Sequence, residues 1–95
     1  MDNTKLLAYI QKPVIYHTDA GHGWLEVALD DILDLNIAHL ISEYSYFKGE
    51  RIFLEEDCDA YEFMERAKAK GWILNITEKH TNGDSFVRSL QGWRA

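Results

Sequence analysis

The chain is 95 residues long and is poor in several residue types. It has one cysteine, Cys58, which excludes an internal disulfide and any all-cysteine metal centre. Its one proline, Pro13, leaves no proline-rich linker to divide it. No apolar run reaches the roughly 18 residues of a membrane-spanning helix. Bases are also scarce: 10 Lys and Arg face 16 Asp and Glu, a formal net charge of −6. Generic binding to nucleic acid or to an anionic membrane needs the opposite balance. There is no glycine loop of the phosphate-cradling type, and no serine sits in a nucleophile-elbow pattern. The start, Met1-Asp2-Asn3-Thr4-Lys5, lacks a charged-then-apolar signal pattern, so a cytoplasmic location is the expectation.

What is present describes a folded protein. The hydrophobic fraction is 46% and the aromatic fraction 13%, enough for one modest core over residues 1–95 and too little chain for two. No repeat or low-complexity stretch is visible. The charge is unevenly placed. Residues 19–65 hold thirteen acids against Lys48 and Arg51, a net of −11, whereas residues 66–95 are net +4. Such asymmetry speaks to association rather than to fold.

The coarse order of elements reads ββ-α-ββ-α-ββ. Val14-Ile15-Tyr16-His17-Thr18, after Pro13, is β-branched or aromatic and predicts a strand. Asp19-Ala20-Gly21-His22-Gly23 is turn chemistry, and Trp24-Leu25-Glu26-Val27 returns. Asp30 caps a short helix with Leu29, Ile32 and Leu33 on one face, ending at Asn36; a longer helix to about Ser42 competes with it. Tyr44–Phe47 and Arg51–Leu54 form a second hairpin about Lys48-Gly49. A two-residue loop sets Tyr46 opposite Arg51. A three-residue loop sets Tyr46 opposite Ile52 and gives the cleaner apolar face. Asp57 to Lys70 predicts a helix with Ala60, Phe63, Met64 and Ala67 as its stripe, acids at its start, bases at its end and Gly71 as its stop. Trp72 to His80 is a strand, Asn82-Gly83 signals a hairpin turn, and Ser85 to Leu90 returns. Gln91 to Ala95 is a tail without assigned structure. Hairpins separated by helices imply an α+β domain, an antiparallel sheet with both helices on one face.

Three groups of residues bear on function. His17, Asp19 and His22, beside Trp24, are the right types for a divalent metal, although a tight loop with Asp19 bonded to its own backbone explains them more simply. Cys58 lies near a helix start, but the flanking acids oppose thiolate formation, so it reads as a semi-buried, unreactive residue. The acidic middle with its interleaved aromatics suits a protein-binding face, with Glu43, Tyr46, Glu50, Glu55, Glu56, Asp59 and Glu62 as contacts. Neither a cofactor nor a catalytic residue is assigned.

Asp19-Ala20-Gly21-His22-Gly23-Trp24-Leu25, Tyr44-Ser45-Tyr46, Leu54-Glu55-Glu56-Asp57 and His80-Thr81-Asn82 resemble a group of short phage- and plasmid-borne proteobacterial proteins, over about Val14 to Arg88. The resemblance implies a mobile-element origin and carries no activity. Small acidic phage proteins often bind and block a host defence enzyme, as anti-CRISPR proteins do. The first expectation is therefore an inhibitor whose acidic surface docks on a host protein with a basic, nucleic-acid-binding site, with no direct nucleic-acid or membrane binding. The alternative is a small metal- or ligand-binding domain or enzyme built on His17, Asp19 and His22. A homodimer joined at an exposed sheet edge is a third, plainer reading.

Overall fold

A computed structural model describes residues 10–93 of the chain. The elements are β1 (Ile10–Thr18), β2 (Gly23–Ala28), α1 (Leu29–Asp34), β3 (Tyr46–Lys48), β4 (Arg51–Glu55), α2 (Asp59–Ala69), β5 (Trp72–His80) and β6 (Gln91–Gly92), with single 3₁₀ turns at Ala38–Leu40 and Phe86–Ser89. The fold is α+β. Among the described residues six strands form one sheet in the order β5-β1-β2-β4-β3-β6.

Local signals account for most element ends. Asn36 takes φ +55°, the left-handed conformation that asparagine tolerates, and this stops α1. The longer helix therefore does not form, and the chain makes a 3₁₀ turn after it. Leu33 points to solvent, while Ile32 and Leu35 are buried. Gly71, at φ +84°, ends α2. Ala60, Phe63 and Ala67 are buried and Met64 packs beside them, as the spacing predicts. The start of α2 differs from expectation. Its first residue is Asp59, and Asp57 does not cap it; Cys58 occupies the cap position with no side-chain hydrogen bond.

Non-local pairing departs further from the sequence reading. The sheet is mixed, not antiparallel throughout, because β5 runs parallel to β1 from Ile10↔Trp72 to Thr18↔His80. Gly83 does bend the chain, but no hairpin follows. Ser85 opens a 3₁₀ turn instead, its hydroxyl accepting from the Val87 N–H at 3.3 Å. The chain then crosses to the opposite edge, where β6 pairs with β3. Gln91 and Gly92 are thus a strand, and Trp93 donates its N–H to the Ser45 carbonyl at 2.7 Å; Arg94 and Ala95 lie outside the described residues. In the second hairpin Lys48 faces Arg51 and Tyr46 faces Phe53, a register different from both expected ones. The loop is Gly49-Glu50, with positive φ at Gly49 alone, the residue order a type II′ turn wants.

Alternation along the strands gives the sheet two buried faces. Leu25, Val27, Ile52 and Leu54 meet Ile32 from α1, Leu35 just after it, and Ala60, Phe63 and Ala67 from α2 in the main core. Trp24, Phe53 and Val87 form a smaller cluster on the other face, with Tyr46 and Leu90 against it. The C-terminal crossover covers that second face, and Phe86 stacks edge-on with both His17 and Phe53.

Phe63 is fully buried in the main core. Phe63→Ala is expected to lower unfolding free energy by about 3–5 kcal/mol, read as a reduced urea midpoint at similar m-value.

Candidate functional site

On the second face, where β2 begins and β4 ends beside the crossover, a cleft of about 490 Å³ opens. His22, Trp24, Ser42, Tyr44, Tyr46, Glu55, Asp57, Cys58 and Arg88 line it. The β2–β4 pairing assembles it. Trp24 faces Glu55 in the ladder, and the Glu56 N–H donates to the Gly23 carbonyl at 3.1 Å. His22, one residue before β2, is thereby set against the turn that follows β4. One ligand atom each from His22, Glu55 and Asp57 lies within 4.8 Å of the others. Trp24 sits beneath, with the His22 ring 5.9 Å away, the Arg88 guanidinium 5.2 Å over its face and Tyr46 edge-on at 6.3 Å.

The proposed set of His17, Asp19 and His22 is not brought together. His17 is buried under Phe86, and its Nε2 bonds Glu26 at 2.7 Å. The Arg51 Nε–H donates to the other oxygen of Glu26 at 2.8 Å. Burial works against the Glu26 charge, but the hydrogen bonds from His17 and Arg51 outweigh it and hold the carboxyl below its ordinary range. Both oxygens of Asp19 are also occupied. Its Oδ1 accepts from the Gly21 N–H at 2.9 Å, the His22 N–H at 3.0 Å and Arg88 Nη2 at 2.9 Å. Its Oδ2 accepts from the Ser85 N–H at 2.9 Å and Arg88 Nε at 2.6 Å. The turn reading of Asp19 is the one the structure contains, and the carboxylate also pins the crossover to the β1–β2 loop. Of the three residues, only His22 faces the cleft.

The acidic contacts named from sequence are dispersed. Asp59 is buried, its Oδ2 accepting from the Ser42 N–H and from the Ser42 and Ser45 hydroxyls at 2.6–2.9 Å. It ties the 41–45 loop to α2 and presents no charge to a partner. Glu56 accepts from the Tyr16 hydroxyl at 2.6 Å. That bond passes over Gly23, where a Cβ would collide with the Tyr16 ring and Glu56. Glu55 is only 7% exposed and turns into the cleft. Tyr46 is half-buried in the same cleft, and Glu50 lies in the β3–β4 turn at the far end of β4. Glu43 is exposed and Glu62 half-exposed. Cys58 is exposed rather than semi-buried; the Asp59 charge, then burial and Glu55, push its thiol up, in line with low reactivity.

Sequence reasoning groups Glu55 and Asp57, with Glu56 and Asp59, as a cation cluster that helix-dipole stabilisation explains more simply, and leaves His22 with His17 and Asp19; it does not join His22 to that cluster. Tyr44 and Tyr61, exposed around the start of α2, belong to the aromatics that the sequence interleaves with the acids, although not to the contact residues named; Leu40, also exposed there, was not singled out. No protein-family model, curated protein or solved structure matches the chain. Among the described residues no helix is long and apolar enough to cross a membrane.

The Arg88 and Ser85 hydrogen bonds hold the Asp19 carboxyl far below the usual carboxylate range. As pH falls below the unfolded value, about 3.9, the unfolded state takes up a proton that the native state refuses. The Asp19 contribution is therefore complete at neutral pH and is lost progressively as pH falls toward the native value. Asp19→Asn should lower the urea midpoint at pH 7 and flatten its dependence on acid between about pH 5 and pH 2. An unaltered acid slope would count against the pin.

Burial, then the hydrogen bond and charge of Glu56, push the Tyr16 hydroxyl up to about 12. That contribution is present below the unfolded value, about 10, and is lost as pH rises through the native one. Tyr16→Phe should remove this part of the alkaline loss, which thermal melts across that range would record.

Proposed function

We propose that the chain is a protein-binding module whose acidic, aromatic rim around the start of α2 docks on a basic, nucleic-acid-binding site of another protein and blocks it. The observation that carries this reading is the exposure of three large side chains among acids. Tyr44 is 69% exposed, Tyr61 60% and Leu40 40%. Tyr44 shares the main cleft with Asp57, and a shallower hollow beside it is lined by Leu40, Asp57, Tyr61 and Glu62. Glu43 and Glu65 are exposed nearby in sequence.

Tyrosine supplies large contact area at small entropic cost and is enriched among residues that dominate binding energy. The acids around it would attract a basic patch and speed encounter with it. The contact set thus differs from the one the sequence suggests. Glu43 and Glu62 stay in it, Tyr44, Tyr61, Leu40 and Asp57 join it, and Asp59 and Glu56 leave it because their carboxylates are engaged within the fold. Small acidic phage proteins often block host defence enzymes, so a nucleic-acid-binding component of a host defence system is the instance of such a partner that we propose.

A partner captured by the tagged chain and identified by mass spectrometry is expected to bind polynucleotide, and DNA or RNA should displace it from the chain. Tyr44→Ala and Tyr61→Ala should each weaken that complex roughly tenfold or more. The double reversal Glu43→Lys with Glu62→Lys should weaken it and reduce its salt dependence. Unchanged affinity and salt dependence in the reversed variant would sink the reading.

A further inference from the structure

We infer that His22, Glu55 and Asp57 form a divalent transition-metal site at the edge of the cleft, with Zn²⁺ as the best-suited ion. This does not depend on the partner-binding reading and is tested on the chain alone.

Three independent features point to a cation. The first is the donor set. An imidazole and two carboxylates, each placing one ligand atom within 4.8 Å of the other two, need only a modest contraction to surround one ion. Zn²⁺ takes nitrogen and oxygen ligands at about 2.0–2.2 Å.

The second is Glu55. It is more than nine-tenths buried as a residue, it lines the cleft, and among the described residues no hydrogen bond or ion pair reaches its carboxylate, whose oxygens keep some exposure to solvent. Its one side-chain partnership involves its backbone, whose N–H donates to the Ser45 hydroxyl at 2.9 Å. Buried carboxylates are ordinarily paired, hydrogen-bonded or bound to a metal. Asp19, Glu26 and Asp59, the other buried or half-buried acids of this face and its border, all have such partners. Glu55 is the exception, and the group beside it is a histidine.

The third is the orientation of that histidine. His22 Nδ1 lies 2.6 Å from the Gly21 carbonyl. A carbonyl oxygen can only accept, so Nδ1 is the donor, and in the neutral imidazole Nε2 is the nitrogen left to bind an ion. Metal-bound histidines commonly use this arrangement, in which one ring nitrogen donates to a carbonyl or carboxylate and the other binds the ion.

The two-carboxylate, one-imidazole set selects among cations. Magnesium and calcium prefer oxygen ligands throughout, whereas imidazole favours the later first-row ions. Three protein ligands leave at least one coordination position of a tetrahedral ion open.

Calorimetric titration of the chelator-treated, full-length protein with Zn²⁺ should show one saturable equivalent, and Mg²⁺ or Ca²⁺ in excess should not displace it. His22→Gln and Asp57→Asn each should weaken binding roughly tenfold or more, since loss of a ligand costs at least as much as loss of a group that only orients one. Both residues are exposed, so both variants should fold, with circular dichroism as the check. Cys58→Ser should bind Zn²⁺ as the wild type does, and the Co²⁺ complex should lack a thiolate charge-transfer band. The assignment is overturned by absence of saturable Zn²⁺ binding. It is equally overturned by undiminished binding in both His22→Gln and Asp57→Asn, or by loss of binding in Cys58→Ser.

Discussion

The carboxylate of Asp19, with five hydrogen bonds converging on its two oxygens, holds the C-terminal crossover against the face of the sheet opposite α1 and α2. A sheet in this fold has apolar side chains on both faces, and only one is covered by α1 and α2. The crossover brings few apolar groups to the other, chiefly Phe86, Val87 and Leu90. Hydrophobic burial on that side is small, so a polar anchor carries more of the burden. Taking a carboxylate out of water is costly, and here Arg88 and three backbone N–H groups offset the cost. Arg88 also lies over Trp24, so the same anchor shapes one wall of the cleft.

The pairing of β2 with β4 does for the cleft what Asp19 does for the crossover. It places the β1–β2 loop beside the turn that leads into α2, joining His22 to Glu55 and Asp57. The same architecture sorts the acids of the negative segment by role. Asp19 binds Arg88, Glu26 binds His17 and Arg51, Asp31 binds Lys12, Glu56 binds Tyr16 and Asp59 binds two serines. A segmental charge of −11 therefore overstates the charge free to meet a partner. What faces outward near α2 is a smaller set interrupted by Tyr44, Tyr61 and Leu40, closer to the mixed composition of a binding surface than a plain acidic patch would be.

Much of the local structure was legible because its causes are local. Asn36 and Gly71 stop helices through their own backbone freedom, and the stripe of α2 follows from a period of 3.6 residues. The extent of β5 is readable from its run of β-branched and apolar residues, but its partner is not. Asn82-Gly83 favours a return strand, and Ser85 instead joins Asp19, sixty-six positions earlier, before that strand can form. The hairpin register failed for a related reason. Lys48-Gly49 and Gly49-Glu50 are both acceptable turns locally, and the choice belongs to β2 and β6, which flank the pair. Asp57 and Asp59 likewise look alike as candidates for a helix start, yet only Asp59 meets Ser42 and Ser45.

The sequence by itself determined the α+β class, the positions of the helices and of most strands, and the turn role of Asp19, since each depends on residues within a few positions of one another. Tertiary structure alone decided the parallel β1–β5 pair, the crossover to the far edge, the inward or outward fate of each acid, and the meeting of His22 with Glu55 and Asp57. Those outcomes depend on contacts between segments tens of residues apart, whose free energies come from shared burial and satisfied hydrogen bonds rather than from the propensity of either segment.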